Sequence, residues 1–106
     1  TAPAVNAGAV NDNEPANVGK ILPTMASRIG KVLAVASRHG FEHLVLGAWG
    51  CGVFRNDPEV ISELFAQTLL GDWKYVDAFQ SVTFAVLDRT EPKNIFRAFQ
   101  RRFEGV

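Results

Sequence analysis

The residues best suited to chemistry lie in one stretch, Leu44-Val-Leu-Gly-Ala-Trp-Gly-Cys-Gly-Val-Phe-Arg-Asn-Asp-Pro58. A short apolar run, Leu44 to Leu46, breaks into Gly47, Gly50 and Gly52, and a helix signal follows at Asp57-Pro58. The pattern reads as strand, glycine loop, helix. Glycine serves where a backbone takes positive φ or must approach another group closely. Such a loop leading into a helix leaves N–H groups that suit an anion, most often a phosphate. A tight strand-to-helix turn with no ligand uses the same residues. Trp49, Cys51 and Phe54 inside the loop favour a site, because a plain turn has no use for them.

Other chemistries fail on spacing. A dinucleotide fingerprint read from Gly50 puts Arg55 where the third glycine belongs. A phosphate loop of the G-K-[ST] kind needs a lysine, and none occurs between Lys31 and Lys74. One cysteine and two histidines, His39 and His43, give no paired ligand spacing, so no metal is expected. No base is evident beside Cys51, which reads as a small residue packing the loop rather than a nucleophile. What remains is a backbone phosphate site. Successive N–H groups from Ala48 to Phe54 could cradle a diphosphate, with Phe54 lying flat against a sugar or base.

The elements that must hold this loop read as follows. Thr1 to Val5 is a brief extended segment, with Pro3 at an edge position. Asn6 to Pro15 has loop composition, and Asn6 either caps a turn or faces a ligand. A helix from Ala16 to Arg38 carries Val18, Ile21, Leu22, Met25, Ile29, Val32, Leu33 and Ala36 on one face. Pro23 either kinks that helix or marks its true start. His39-Gly40 ends it. His43 to Gly47 is a strand buried on both faces, since its apolar residues do not alternate. Asp57 is a natural N-cap and Pro58 a natural first helical residue, in a helix that runs to about Leu70. That helix buries Ile61, Leu64, Phe65 and Thr68 or Leu69. Asp72 to Gln80 connects, with Trp73, Tyr75 and Phe79 packing. Val82 to Leu87 is a third, central strand, and Asn94 to Glu104 a last helix burying Phe96, Phe99 and Phe103. Lys93, Arg97, Arg101 and Arg102 read as a solvated face.

Strands alternating with helices imply a parallel sheet covered by helices, with ligands bound beyond the carboxyl ends of the strands. The ends at Val5-Asn6 and Leu87-Asp88 should open on the same rim as the glycine loop. Three parallel strands leave two edges and much of each face uncovered, so the sequence looks like half of a sheet.

The chain's 106 residues suffice for one small domain. With 47% apolar and 21% charged residues it has globular rather than disordered composition. Eleven basic residues balance eleven acidic ones, so no net field recruits nucleic acid or a membrane surface. A single cysteine makes no internal disulfide, and a reducing, cytoplasmic setting is expected. No apolar run reaches membrane-spanning length.

The stretch Gly47-Ala-Trp-Gly-Cys-Gly-Val-Phe-Arg-Asn-Asp-Pro58, with Thr1-Ala-Pro-Ala-Val-Asn-Ala-Gly8 before it and Phe84-Ala-Val-Leu-Asp88 after it, resembles the bacterial-type poly(ADP-ribose) glycohydrolases. The resemblance covers essentially the whole chain. It implies a macrodomain-like three-layer α/β/α fold, of which residues 1–106 would be the carboxyl-terminal part, with about three mainly parallel strands. It also implies that Ala48, Trp49, Gly50, Cys51, Gly52, Val53 and Phe54 lie over the diphosphate of ADP-ribose, with Phe54 against the distal ribose. Leu87 and Asp88 would lie toward the adenine.

The family's reaction rests on a glycine run followed by a Gln-Glu-Glu segment, and these residues contain neither. Glu14, Glu42, Glu59, Glu63, Glu91 and Glu104 stand singly at caps, turns and helix faces. No catalytic residue is therefore expected within the chain, and no cofactor. The expected partners are ADP-ribose or poly(ADP-ribose) and an upstream half of the same domain. Two readings stand beside this one: a macrodomain-like reader that binds ADP-ribose without cleaving it, and a small α/β domain whose loop is only structural.

Overall fold

The computed structural model describes residues 2–71 and 75–106. The described elements are α1 (Ala7–Asn13), a 3-10 turn (Pro15–Lys20), α2 (Ile21–Arg38), β1 (His43–Leu46), α3 (Pro58–Ala66), a wide π turn (Gln67–Gly71), β2 (Ser81–Phe84) and α4 (Asn94–Phe103). The two strands pair in parallel, His43 opposite Ser81 through Leu46 opposite Phe84. The His43 Nδ1 and Ser81 Oγ atoms, 2.7 Å apart, link the first pair of residues.

Among the described residues the sheet has two strands, not the expected three. Residues 2–5 join no ladder, and their polar groups meet side chains instead. The Ala2 and Val5 carbonyls accept from Trp49 and Asn56, and the Val5 amide donates to the Met25 sulfur. The second correction concerns Asn6 to Pro15, which reads as loop but holds α1. Asn6 does cap, but it caps a helix: its side chain accepts from the Ala9 amide at 3.0 Å. Asn11 then bonds back to the Ala7 carbonyl at 2.8 Å, so residues of turn type support a helix here.

Pro23 marks a start rather than a kink. It sits in the first turn of α2, where backbone amides have no intrahelical acceptor and a missing N–H costs nothing. Ala16 to Lys20, expected as helix, belong to the 3-10 turn. Past Arg38, Gly40 takes φ +75 and ends the helix as read. Asp57 caps α3 through its carboxylate, which accepts the Glu59 amide at 2.9 Å, and Pro58 is the first helical residue. α3 passes at Gln67 into the π turn, so the helical stretch reaches Gly71, in keeping with a helix to about Leu70.

The core lies between α2, α3 and α4. Met25, Ile29 and Leu33 from α2 are fully buried, with Ile61, Phe65, Leu69, Cys51 and Phe99 against them. Phe84, the last residue of β2, joins the layers. It meets Phe65 edge-on at 5.3 Å, Phe99 at 5.2 Å, and Phe103 stacked at 4.5 Å. Phe96, expected inside, is exposed, and Ala98 takes the buried position on α4. Tyr75 and Phe79 pack on each other in stacked geometry, while Trp73 lies outside the described residues.

Neither strand is buried on both faces, contrary to the sequence reading. Burial alternates along each, and Val45 is 75% exposed. β2 also ends at Phe84, so Leu87 belongs to no strand and is 80% exposed. The basic end of α4 is a solvated face, as expected: Lys93, Arg97 and Arg101 are exposed, and across that surface Arg101 pairs with Glu59 and Arg102 with Glu63 on α3. Among the described residues no helix is long and apolar enough to cross a membrane.

The first turn of α4 is capped by Asp88, six residues before the helix in sequence but adjacent in space. One carboxylate oxygen accepts the amides of Ile95 at 2.9 Å and Phe96 at 3.1 Å. The other accepts the Thr90 hydroxyl at 2.6 Å and the Thr90 amide at 2.9 Å. These donors, the Thr90 hydroxyl foremost, hold the carboxyl at about 2, below its ordinary 3.8. A carboxylate with a depressed folded-state pKa stabilises the fold fully above its unfolded value and loses that contribution as pH falls. The thermal midpoint should therefore drop between about pH 4 and pH 2. Asp88→Ala should lower the midpoint at pH 7 and flatten that acid limb, as read by calorimetry from pH 7 to pH 2; an unchanged limb would rule the linkage out.

Candidate functional site

Because β1 and β2 run parallel, their carboxyl ends face one rim. The Ala85 amide donates to the Leu46 carbonyl at 2.7 Å just where the glycine loop departs. Residues 2–6 lie along the same rim, tied to the loop by side chains. The rim thus gathers the three segments expected there: the chain before α1, the glycine loop, and the chain after β2.

The loop folds on itself through short backbone bonds. The Trp49 amide donates to the Gly47 carbonyl, Cys51 to Ala48, Arg55 to Gly52 and Asn56 to Gly50, at 2.9 to 3.1 Å. The amides of Gly50, Gly52, Val53 and Phe54 make no hydrogen bond within the described chain. The exposed part runs from Gly52 to Arg55, with Val53 92% and Phe54 38% accessible. The Phe54 carbonyl is fixed by the Gly8 amide of α1 at 3.0 Å. A Cβ on Gly8 would stand 3.0 Å from the Arg55 side chain, so the approach of α1 is close.

Gly50 is the residue whose backbone the loop cannot vary. It takes φ +76, and a Cβ there would lie 2.7 Å from Asn56 Nδ2 and 2.8 Å from Ala4 Cβ. Arg55 also adopts the left-handed region, at φ +60, where a side chain costs roughly 1–2 kcal/mol.

Trp49 and Cys51 turn inward rather than toward solvent. The Trp49 indole donates to the Ala2 carbonyl at 3.1 Å. Cys51 is 6% exposed within the core cluster. Burial first, and the Asp57 carboxylate second, push its thiol up to about 12. A thiol so raised is neutral at physiological pH, which agrees with packing and not with nucleophilic attack. Leu87 projects from the chain after β2, and the neighbouring Asp88 carboxylate is engaged by the four donors at the start of α4. No group of three or more His, Cys, Asp or Glu side chains able to hold a metal occurs among the described residues.

Sequence reasoning passed over Asn56. It is 4% exposed, and its side-chain amide donates to the Val5 carbonyl at 2.7 Å and to the Gly50 carbonyl at 2.8 Å. Its one sequence signal is position: an amide side chain between the end of a glycine loop and an Asp-Pro helix start.

No protein-family model matches the chain, and no curated protein matches it. Solved structures do. The poly(ADP-ribose) glycohydrolase of Deinococcus radiodurans in complex with ADP-ribose superposes with a TM-score of 0.94 at 47% identity, over 100% of this chain. The chain is similar from end to end to bacterial poly(ADP-ribose) glycohydrolases. The apo form of the Deinococcus glycohydrolase matches 98% of the chain at 48% identity and a TM-score of 0.92. That of Thermomonospora curvata matches 95% at 44% identity and 0.86. The chain spans 41%, 42% and 36% of these three glycohydrolase structures respectively.

Gly50→Ala should cost more than about 2 kcal/mol, from the left-handed backbone and the collision with Asn56 and Ala4. Gly52→Ala, where a Cβ meets nothing within 4 Å, should cost far less. Urea unfolding of both variants measures the contrast, and equal losses would refute it.

Proposed function

We propose that the chain is the ADP-ribose-cradling part of a poly(ADP-ribose) glycohydrolase, the carboxyl-terminal portion of a macrodomain-like three-layer domain. The observation that carries this reading is the end-to-end similarity to glycohydrolases, at 47% identity and a TM-score of 0.94 for one solved with ADP-ribose. The loop's local geometry supports it. Four amides in and around a rigid glycine turn lack partners within the described chain, which suits a doubly charged diphosphate. In this reading Ala48 to Phe54 pass over the diphosphate and Phe54 lies against the distal ribose. Gly50, Gly52, Val53 and Phe54 act through their backbones, while Trp49 and Cys51 shape the loop from inside. Leu87 and Asp88 flank the adenine, with Leu87 supplying apolar surface and Asp88 holding the segment by capping α4.

The ligand class is ADP-ribose or its polymer, and the macromolecular partner is an upstream segment of the same domain that carries the Gln-Glu-Glu group. No nucleic acid, membrane, metal or cofactor enters the scheme. The balanced charge and single buried cysteine support a reducing, cytoplasmic setting. The alternative reading is an ADP-ribose-binding module without hydrolysis, favoured by the absence of a Gln-Glu-Glu segment from these residues.

Phe54→Ala should weaken ADP-ribose binding about tenfold in calorimetric titration, the size of one lost aromatic contact. Unchanged affinity would point to a purely structural loop. The 106-residue chain alone should release no ADP-ribose from poly(ADP-ribose), and turnover by the pure chain would overturn the assignment of the acid to another segment. Turnover on joining a Gln-Glu-Glu segment upstream separates the enzyme from the binding module.

A further inference from the structure

We infer that Asn56 is the positioning residue of the glycine loop, holding the amides of Gly50 to Phe54 in the arrangement an ADP-ribose diphosphate requires. This rests on the reading of the loop as an ADP-ribose site. Asn56 contributes no group to the exposed part of the loop and is buried beneath it. Its Nδ2 carries two hydrogens, and both are used, one on the Val5 carbonyl and one on the Gly50 carbonyl. Its own backbone amide donates to the same Gly50 carbonyl at 3.0 Å. The Gly50 carbonyl is thus held from two directions, and its peptide plane cannot rotate without breaking both bonds.

That constraint has a consequence for the ligand side. Fixing the carbonyl of Gly50 fixes the plane shared with the Cys51 amide, which itself donates back to Ala48. The turn from Gly47 to Cys51 is then rigid, and the partnerless Gly52, Val53 and Phe54 amides follow from a fixed point. The far end of this segment is fixed separately, since the Gly8 amide holds the Phe54 carbonyl and the Gly52 carbonyl accepts from Arg55. Through Val5, Asn56 also binds the loop to the chain before α1. The Trp49 indole makes a second tie to that chain at Ala2. A loop held open by its own protein pays less ordering cost when an anion arrives.

The side-chain amide is suited to this as no isosteric residue is. A carboxylate of the same shape would set acceptors against two carbonyls, and an alanine would leave both without that donor. The tight packing leaves the position no slack: Gly50 and Asn56 approach so closely that a single methyl group on Gly50 collides with Nδ2.

The test is made on the 106-residue chain with ADP-ribose as the probe. Asn56→Ala should weaken binding at least tenfold in calorimetric titration and, without ligand, should shift the Gly50, Gly52, Val53 and Phe54 amide resonances in 1H–15N spectra. Ile61→Val, a core variant outside the loop, controls for lost stability and should change affinity less than twofold. Wild-type affinity in Asn56→Ala, or unmoved loop resonances, overturns the inference, as does an equal loss in Ile61→Val. Should Asn56→Ala fail to fold, Asn56→Ser decides in its place, because a hydroxyl can satisfy at most one carbonyl. If the unmutated chain does not bind ADP-ribose, the binding reading falls, while the resonance shifts still decide whether Asn56 sets the loop's conformation.

Discussion

The Asn56 side-chain amide gives its two hydrogens to carbonyls from distant parts of the chain, Val5 and Gly50. Such bonds contribute modestly when made, but a buried carbonyl left without a partner costs about 1–3 kcal/mol. Three segments therefore take their positions together: the residues before α1, the glycine turn, and the start of α3 two residues after Asn56. Residues 2–5 lie beside the loop, and their polar groups answer side chains instead of a neighbouring strand.

Rigidity reaches the loop from the core through α3. Asp57 caps the helix on the loop side, and Ile61 and Phe65 anchor it among fully buried residues of α2. On its other flank α3 meets α4 through Phe99, and through the ion pairs of Glu59 and Glu63 with Arg101 and Arg102. The Arg102 hydrogen bond, foremost, and a second from Gln67 hold the Glu63 carboxyl below its ordinary value, so this pair is set at neutral pH. Phe84 then carries β2 into the same aromatic group. The carboxyl ends of both strands, and hence the rim, are positioned by helix packing more than by the two-stranded ladder, which alone would be marginal.

What could be read from the residues were the features with strong local chemistry. Asp57-Pro58 starts α3, Gly40 stops α2, Gly50 needs positive φ, and the cores of α2 and α3 show helical spacing. What could not be read depended on partners far away in sequence. Asn6 and Asn11 have turn preferences but support α1 because their side chains find backbone groups within that helix. The apolar runs at Leu44–Leu46 and Val82–Leu87 suggested strands covered on both sides, whereas Val45 and Leu87 stand in solvent. Their continuous apolar character is the pattern of a fully covered parallel sheet. The most consequential omission was Asn56, because a buried amide that joins two carbonyls leaves no periodic trace in a sequence.

In the proposed reading, the distribution of carboxyl groups separates holding a glycosidic substrate from cleaving it. Cleavage needs an acid that keeps its proton near neutral pH and yields it to a leaving oxygen, which requires a raised pKa. Two of the described carboxyls, Asp88 and Glu63, lean the other way. Asp88, the one buried carboxylate among the described residues, is held at about 2 by donors that favour its ionised form. Glu63 is lowered by Arg102 and Gln67, Glu59 is paired with Arg101, and Asp57 caps α3. Glu14, Glu42, Glu91 and Glu104 are exposed to solvent. What the loop offers instead is backbone donors with no partner of their own, which suit a phosphate and cannot supply the acid. In the proposed reading these groups orient an ADP-ribose unit, and the proton for its glycosidic oxygen comes from the upstream segment.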